Sequence, residues 1–383
     1  MKVLIGTCGV WYFNHSALAF HKRDALAALW VTEKNLPPLP AEKFRRCWPF
    51  HLAMKPFYSW APQIWTERMF YRCFPVWKAW LRAQTPPEFN AVYAMMGFAT
   101  EMFDLADRVG ALKVVDCPNT HPTTYFGFWQ RECDLWCPGE KVPIPRKMFA
   151  RMNRELERAD LIVVPSTFSR ESMVLNGLPA EKVLVNPFGV DTGIFTPRAR
   201  PPVKPRFICV GTICLRKGHP YLFRAFERVK KMLPDAELIC IGGRKTDFRR
   251  EWPKWEGTFT HYPSLPHPRI AELLQTSTAF VMPSQEEGIP RALMEALACG
   301  VPAVGTHAGG ASTVVQDGVE GFIVPPHDIE AIARAMVRLG SDTELNQKMG
   351  EAAHRKGASR NTWQDYGDRL LAAFEDRLSG RAK

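Results

Sequence analysis

The sequence predicts an α/β protein of two doubly wound domains, each a parallel sheet with helices on both faces, opposed across a cleft. Three observations predict it. In residues 201–360, short and continuously apolar runs alternate with stretches of helical periodicity, the pattern of strands buried on both faces between helices. Residues 1–200 repeat the theme less regularly. Between them, residues 196–205 hold four prolines and three basic side chains, the composition of an exposed linker.

The elements follow in order. Residues 2–6 read as a strand and 16–29 as an apolar, helix-like segment. Lys113-Val114-Val115, residues 161–164 and residues 182–185 are the further strands of the first half. In the second half, residues 206–210 form a strand ending at Gly211. Leu222, Phe223, Phe226, Val229 and Leu233 then mark one face of a helix over 218–232. Strands at 237–241, 279–282, 302–305 and 322–324 follow, with helices near 267–275, from about Pro290 and from about 328. A last helix at about 361–380 is expected to pack back on the first domain. Ligands of open parallel sheets sit at the carboxyl ends of the strands, which places a site in the cleft.

Composition narrows the class. With 46% hydrophobic and 23% charged residues the chain is globular. No basic segment followed by an apolar one opens it, and no apolar run approaches the ~20 residues of a membrane span; the expectation is a cytoplasmic protein. Ten cysteines are scattered without a framework and read as reduced core thiols. Cys117, Cys133 and Cys137 lack the paired spacing of a zinc site. The net charge is +11, and residues 1–200 carry 25 Lys/Arg against 18 Asp/Glu, or +7 of it. Such a surface suits an anionic partner: a nucleotide diphosphate, a lipid headgroup or a nucleic acid.

The stretch that bears on chemistry is Pro283 to Pro302, PSQEEGIPRALMEALACGVP. A buried strand ends at Pro283-Ser284, a turn holds Glu286, Glu287 and Gly288, and Pro290 stands where a helix starts. The helix carries Leu293, Met294, Ala296 and Leu297 and stops at Gly300. Glu287 and Glu295 thus bracket a helix N-terminus whose Arg291, Ala292 and Leu293 N–H groups are a ready anion site. A diphosphate at the helix end, with a carboxylate on either side to accept from vicinal hydroxyls, is the arrangement a sugar nucleotide needs.

Glu287 and Glu295, followed by Ala-Leu-Ala-Cys-Gly-Val-Pro, resemble the E-x7-E signature of glycosyltransferase family 4. Gly309-Gly310, Asp317 to Gly321 and Val324-Pro325 extend the match. The resemblance implies the GT-B fold of two Rossmann-like domains, an acceptor-binding one over 1–200 and a nucleotide-sugar-binding one over 201–360. It implies that Glu287 contacts the donor sugar and Glu295 the ribose, with Gly288, Ile289, Pro290, Arg291, Ala292 and Leu293 lining the donor site. Gly211 to Gly218 resembles the family's G-R…K-G element: Lys217 matches the lysine on the diphosphate, Thr212 replaces the arginine, and Arg216 is the candidate second cation. His121, in the loop after Val115-Asp116, matches the first-domain histidine that faces the sugar, and Asp116 is a candidate to orient its ring. Catalytic roles are thereby expected for His121, Glu287 and Lys217. Residues 159–166 and 186–191 resemble the family's last first-domain strand and its G-V-D turn. Residues 8–100 match poorly, and the glycine-rich loop after the first strand is reduced to Gly6 and Gly9.

The expected enzyme transfers a hexose, with retention, from a nucleotide-diphosphate sugar to a glycan, lipid-linked or small-molecule acceptor. It needs no cofactor beyond that co-substrate, and no metal: there is no Asp-x-Asp cluster, and fixed cations with a helix dipole can hold the leaving diphosphate. Residues 41–82 hold eight Lys/Arg, two Asp/Glu and Trp48, Trp60, Trp65, Trp77 and Trp80. That mixture suits either a domain core with a solvated basic face or peripheral contact with an anionic membrane. Pro49, Pro56, Pro62 and Pro75 argue against one long helix there. Two alternatives stand beside this reading: a non-catalytic sugar-nucleotide or glycan scaffold, and a GT-B epimerase or phosphorylase. No nucleic-acid-binding module is present.

Overall fold

The computed structural model describes residues 1–7, 12–32, 38–60, 72–139, 142, 146–245, 247, 250–358 and 361–381, with the side chains of 55–60, 358 and 381 set aside. Gly9, Pro62 and Trp65 lie outside the described residues, and the side chains of Pro56 and Trp60 are among those set aside.

In the first half, β1 (Val3–Thr7) is followed by α1 (Phe13–Lys22), β2 (Leu26–Val31), β3 (Phe44–Arg46), α2 (Trp48–Trp60) and α3 (Phe74–Arg82). β4 (Ala91–Met95), α4 (Thr100–Val109), β5 (Leu112–Asp116), α5 (Pro122–Trp136), α6 (Arg146–Arg158), β6 (Leu161–Val164), α7 (Thr167–Leu175) and β7 (Val183–Val185) complete it. Their sheet runs β3-β2-β1-β4-β5-β6-β7, all parallel. The second half holds β8 (Arg206–Val210), α8 (His219–Met232), β9 (Glu237–Ile241), α9 (Trp252–Trp255), β10 (Thr260–Tyr262), α10 (His267–Gln275) and β11 (Ala279–Met282). α11 (Arg291–Ala298), β12 (Ala303–Thr306), β13 (Gly321–Val324), α12 (Ile329–Ser341), α13 (Thr343–Ala358) and α14 (Trp363–Arg381) follow. Its sheet runs β10-β9-β8-β11-β12-β13, again parallel. In each sheet the order reverses beside the first strand, at β1/β4 and at β8/β11. A crevice opens at such a point because successive crossovers leave toward opposite faces.

Six strands are buried throughout because both faces of the sheets are covered: β1, β2, β4, β6, β11 and β12. Residues 16–29 are not one helix. α1 ends at Lys22, Asp24 turns the chain at φ +52°, and Leu26 to Val31 joins the sheet between β1 and β3. Leu and Ala favour a helix; pairing with β1 overrides helical periodicity here. α2 continues past Pro56, which the proline spacing did not predict; the missing N–H costs a helix one hydrogen bond without having to end it.

The linker, residues 196–205, is exposed or part-exposed throughout, as its composition implies, yet it is anchored. Arg198 Nη1 donates to Ser277 O at 2.5 Å and Nη2 to Asn346 Oδ1 at 2.5 Å, pinning it to the second half. The chain crosses back beside its outward crossing: Val190 N donates to Asn361 O at 2.8 Å, and Val190 bridges Thr362. Gly189 is required there, since a Cβ would lie 2.6 Å from the Trp363 backbone. α14 then packs on α1, with Arg23 paired to Asp368 and Arg369 Nε donating to Asn186 Oδ1 at 2.6 Å.

Candidate active site

The site lies at the β8/β11 crevice, where two loops from neighbouring strands meet. After β8 the chain passes through Gly211 at φ +149° to Arg216 and Lys217, and α8 begins behind Gly218 at φ +73°. After β11 come Ser284, Gln285, Glu286 and Glu287, all buried. Glycine allows these loops to touch. A Cβ on Gly218 would lie 1.9 Å from Pro283 O, and one on Gly211 would crowd Lys217 Nζ at 3.2 Å.

Lys217 Nζ lies 2.8 Å from Glu287 Oε2. Arg216 Nη1 is shared: it donates to Glu286 O at 2.5 Å, to Glu286 Oε2 at 2.9 Å and to Glu287 Oε2 at 3.3 Å. Its guanidinium also sits over the Tyr125 ring at 5.3 Å. Burial works against ionisation of Glu287, but Lys217 and then Arg216 outweigh it and hold that carboxyl below its usual range. At Glu286 burial prevails and raises the carboxyl, opposed by Arg216. Two carboxylates therefore face two cations. Arg216 is turned onto the glutamates, so the place of the family arginine, taken here by Thr212, is not filled by it in this arrangement.

The first half closes over this group. Thr120 N and Oγ1 both donate to Glu286 Oε1, at 3.1 and 2.8 Å. A Cβ on Gly288 would lie 2.0 Å from Pro118 O, and one on Gly310 1.7 Å from Gly288 O. Gly288 thus permits backbone-to-backbone approach of the two halves, and Gly310 supports it from beneath. The E-x7-E spacing singles out Glu287 and not Glu286 beside it. A second acid beside the motif was the available signal.

His121 is the N-cap of α5. Its Nδ1 accepts from Thr123 N at 3.2 Å, and its own N–H donates to Ser172 Oγ at 2.9 Å. With Nδ1 an acceptor, the proton of the neutral ring resides on Nε2. Burial lowers its pKa to about 4, so the ring is neutral at physiological pH. Asp116 does not orient it, contrary to the sequence expectation. That carboxylate instead accepts from the hydroxyls of Tyr12, Tyr93 and Tyr366. The strand-end position that made Asp116 a candidate points its side chain into the first-half core.

At α11, Pro290 is the N-cap at φ −64° and Arg291 the first helical residue. Leu293 N–H is taken by Pro290 O at 2.9 Å, which leaves the N–H groups of Arg291 and Ala292 for an anion, two rather than three. Ile289 is buried beneath. Glu295, a turn further on, is raised by burial and opposed by the charges of His267 and Arg291. Among the described residues, no three His, Cys, Asp or Glu side chains gather as a metal site. Cys117, Cys133 and Cys137 are buried thiols, none in a disulfide. No helix among the described residues is long and apolar enough to cross a membrane.

Residues 193–356 match the family model Glycosyl transferases group 1. The chain is 26% identical over 298 residues to a GDP-mannose-dependent alpha-(1-6)-phosphatidylinositol monomannoside mannosyltransferase of Mycolicibacterium smegmatis, covering 72% of this chain and 74% of the relative. It is 28% identical over 260 residues to a D-inositol 3-phosphate glycosyltransferase of Paenarthrobacter aurescens; that match spans 63% of this chain and 63% of the relative, under two thirds of its length. Among solved structures it resembles in fold the sucrose-phosphate synthase of Thermosynechococcus elongatus, with TM-score 0.74 and 16% identity over 99% of this chain and 100% of that one. It also resembles Anabaena HepE, solved in complex with UDP-glucose, with TM-score 0.70 and 15% identity over 98% and 100%. The two parallel sheets, the family match over residues 193–356 and these likenesses agree: the chain has the GT-B fold and is similar to glycosyltransferases of family 4 type.

Proposed function

We propose that the enzyme transfers a hexosyl group from a nucleotide-diphosphate sugar to a glycan, lipid-linked or small-molecule acceptor, with retention and without a metal. The observation that carries this reading is Lys217 held against Glu287, 2.8 Å apart, at the mouth of α11. The diphosphate takes Lys217 and the N–H groups of Arg291 and Ala292, Glu295 accepts from the ribose, and Glu287 from the sugar. His121 offers its Nε2–H to the sugar from the first half. As the bond from the anomeric carbon to the diphosphate oxygen breaks, that oxygen keeps the electron pair, and Lys217 meets the growing charge. The acceptor oxygen bonds to the same face of the carbon, and its proton passes to the departing phosphate. Residues 1–200 supply the acceptor side and 201–360 the donor side. That relatives are named for GDP-mannose and neighbours solved with UDP-glucose supports a nucleotide sugar without choosing the base.

The test is the melting temperature of the chain with UDP, GDP or ADP in EDTA. A ligand held only by the folded state stabilises it by about 2.7 kcal/mol at a hundred times its Kd. A rise of several degrees with one nucleotide is expected; no rise with any of them counts against the donor site.

A peripheral contact at the cytoplasmic face of an anionic membrane fits the surface of α2. Trp48 and Leu52, one turn apart, are 54% and 60% exposed. The Arg46 guanidinium lies 3.7 Å from the Trp48 ring centroid. An apolar pair flanked by Lys43, Arg45 and Arg46 is what a negatively charged interface attracts. The chain is expected to sediment with phosphatidylglycerol vesicles and not with phosphatidylcholine, and a Trp48→Ala, Leu52→Ala double variant to stay in solution. Equal recovery of both proteins with both vesicles would remove this contact.

A further inference from the structure

α5 starts at His121 and is applied to the second half along its length. Beyond Tyr125 under Arg216, Trp129 Nε1 donates to Asp247 Oδ2 at 3.1 Å. Trp136 Nε1 donates to the Tyr221 hydroxyl at 3.1 Å, and the Arg224 guanidinium lies 4.5 Å from the Trp136 ring. Between the two tryptophans stands Glu132, fully buried. Its Oε2 accepts from the Tyr221 hydroxyl at 3.0 Å and its Oε1 from His327 Nε2 at 2.7 Å. Both of these partners belong to the second half: Tyr221 to α8, and His327 to the loop after β13, where it stands at φ +66°. A non-glycine residue there is held by its surroundings.

A buried carboxylate is costly unless its oxygens are hydrogen-bonded. Glu132 meets that condition through these two bonds only while the halves are apposed, and only with α5 in one register. An apolar side chain at this position would tolerate sliding; the carboxylate selects a single closed arrangement. We propose that Glu132 is a positioning residue, which through Tyr221 and His327 fixes α5 in the closed state and so sets His121 over the donor site. Its importance for transfer rests on the reading of His121 given above.

Two measurements on the full chain need no knowledge of the substrate. The first is the radius of gyration by solution X-ray scattering; the second is the proton-NMR titration of the His121 ring, identified by its loss in His121→Gln. In the arrangement described, burial lowers the His121 pKa to about 4. In Glu132→Ala the radius is expected to grow and the His121 titration to move up by about two pH units, toward the value of an open imidazole. Glu132→Gln keeps an acceptor for His327 and a donor for the Tyr221 oxygen, and is expected to restore both. If alanine at 132 does not fold, His327→Ala, a change at a part-exposed residue, is expected to give the same two shifts. A folded Glu132→Ala or His327→Ala chain with wild-type radius and wild-type His121 titration overturns the proposal. Release of UDP from UDP-glucose and of GDP from GDP-mannose then separates the two readings. If His121→Ala turns over at the wild-type rate while Glu132→Ala still shifts the His121 titration, the role of His121 fails and the clasp stands.

Discussion

Lys217→Ala is expected to lower turnover by about a hundred- to a thousandfold, the scale of losing one preorganised partner of a developing anion. Of the two cations at the site, Arg216 is committed: one nitrogen is spread over a backbone carbonyl and two carboxylates. Among the described residues Lys217 has one ion pair, with Glu287, and it has a flexible stem, so it is the cation able to turn to a diphosphate. Without it, Glu286 and Glu287 retain only Arg216, and an incoming diphosphate meets net negative charge. Donor affinity therefore falls together with turnover, whereas Lys217→Arg keeps the charge and loses less. Nucleotide release from UDP-glucose and GDP-mannose reads the rates, and nucleotide-dependent melting reads the affinity. Wild-type turnover in a folded Lys217→Ala chain would remove this lysine from the mechanism.

The loops and helix that carry the proposed donor residues are legible because those residues are close in sequence. Strand, turn, proline and helix from Pro283 to Gly300 fix where Glu287 and Glu295 stand, and Lys217 follows a strand whose end is marked by Gly211. What was not legible is what one half does to the other. Thr120 meets Glu286 across 166 positions and Glu132 meets His327 across 195; neither pairing has a period or a spacing to betray it. Helix type in the first half was ambiguous for a different reason. Residues 16–29 mix helix-forming side chains with the burial of a central strand, and only pairing with β1 decides between them. The Asp116 assignment failed because a strand end says which residue reaches the loop, not which way its side chain turns.

Asp116→Ala is expected to be the most destabilising single change. The carboxylate ends β5, is buried, and accepts from three phenols: Tyr12 at the start of α1, Tyr93 on β4 and Tyr366 on α14. It thereby ties the returning helix, from the end of the chain, to the middle of the first sheet. With alanine, Tyr93 and Tyr366, 3.1 Å apart, can still bond each other, but Tyr12 is orphaned and a cavity opens. At about 1–3 kcal/mol for a buried unsatisfied group, plus the cavity, the loss is about 3–5 kcal/mol. At a few degrees per kcal/mol, the melting temperature falls by about 10 °C, and amide protection is lost first in α14. Asp116→Asn keeps an acceptor and costs less, by an amount that depends on pH. Burial, opposed by the three phenols, raises the Asp116 pKa to about 6, above its value in the unfolded chain. Its contribution to stability is therefore complete below the unfolded value of about 4 and is lost as pH rises through about 6. Asparagine does not titrate, so the advantage of the native chain over Asp116→Asn should shrink as pH rises from about 4 to about 6 and stay level above it. An unchanged melting temperature in Asp116→Ala would mean that α14 is held by its other contacts with the first half, the Arg23–Asp368 and Arg369–Asn186 pairs among them, and that the three phenols find other partners when the carboxylate is gone.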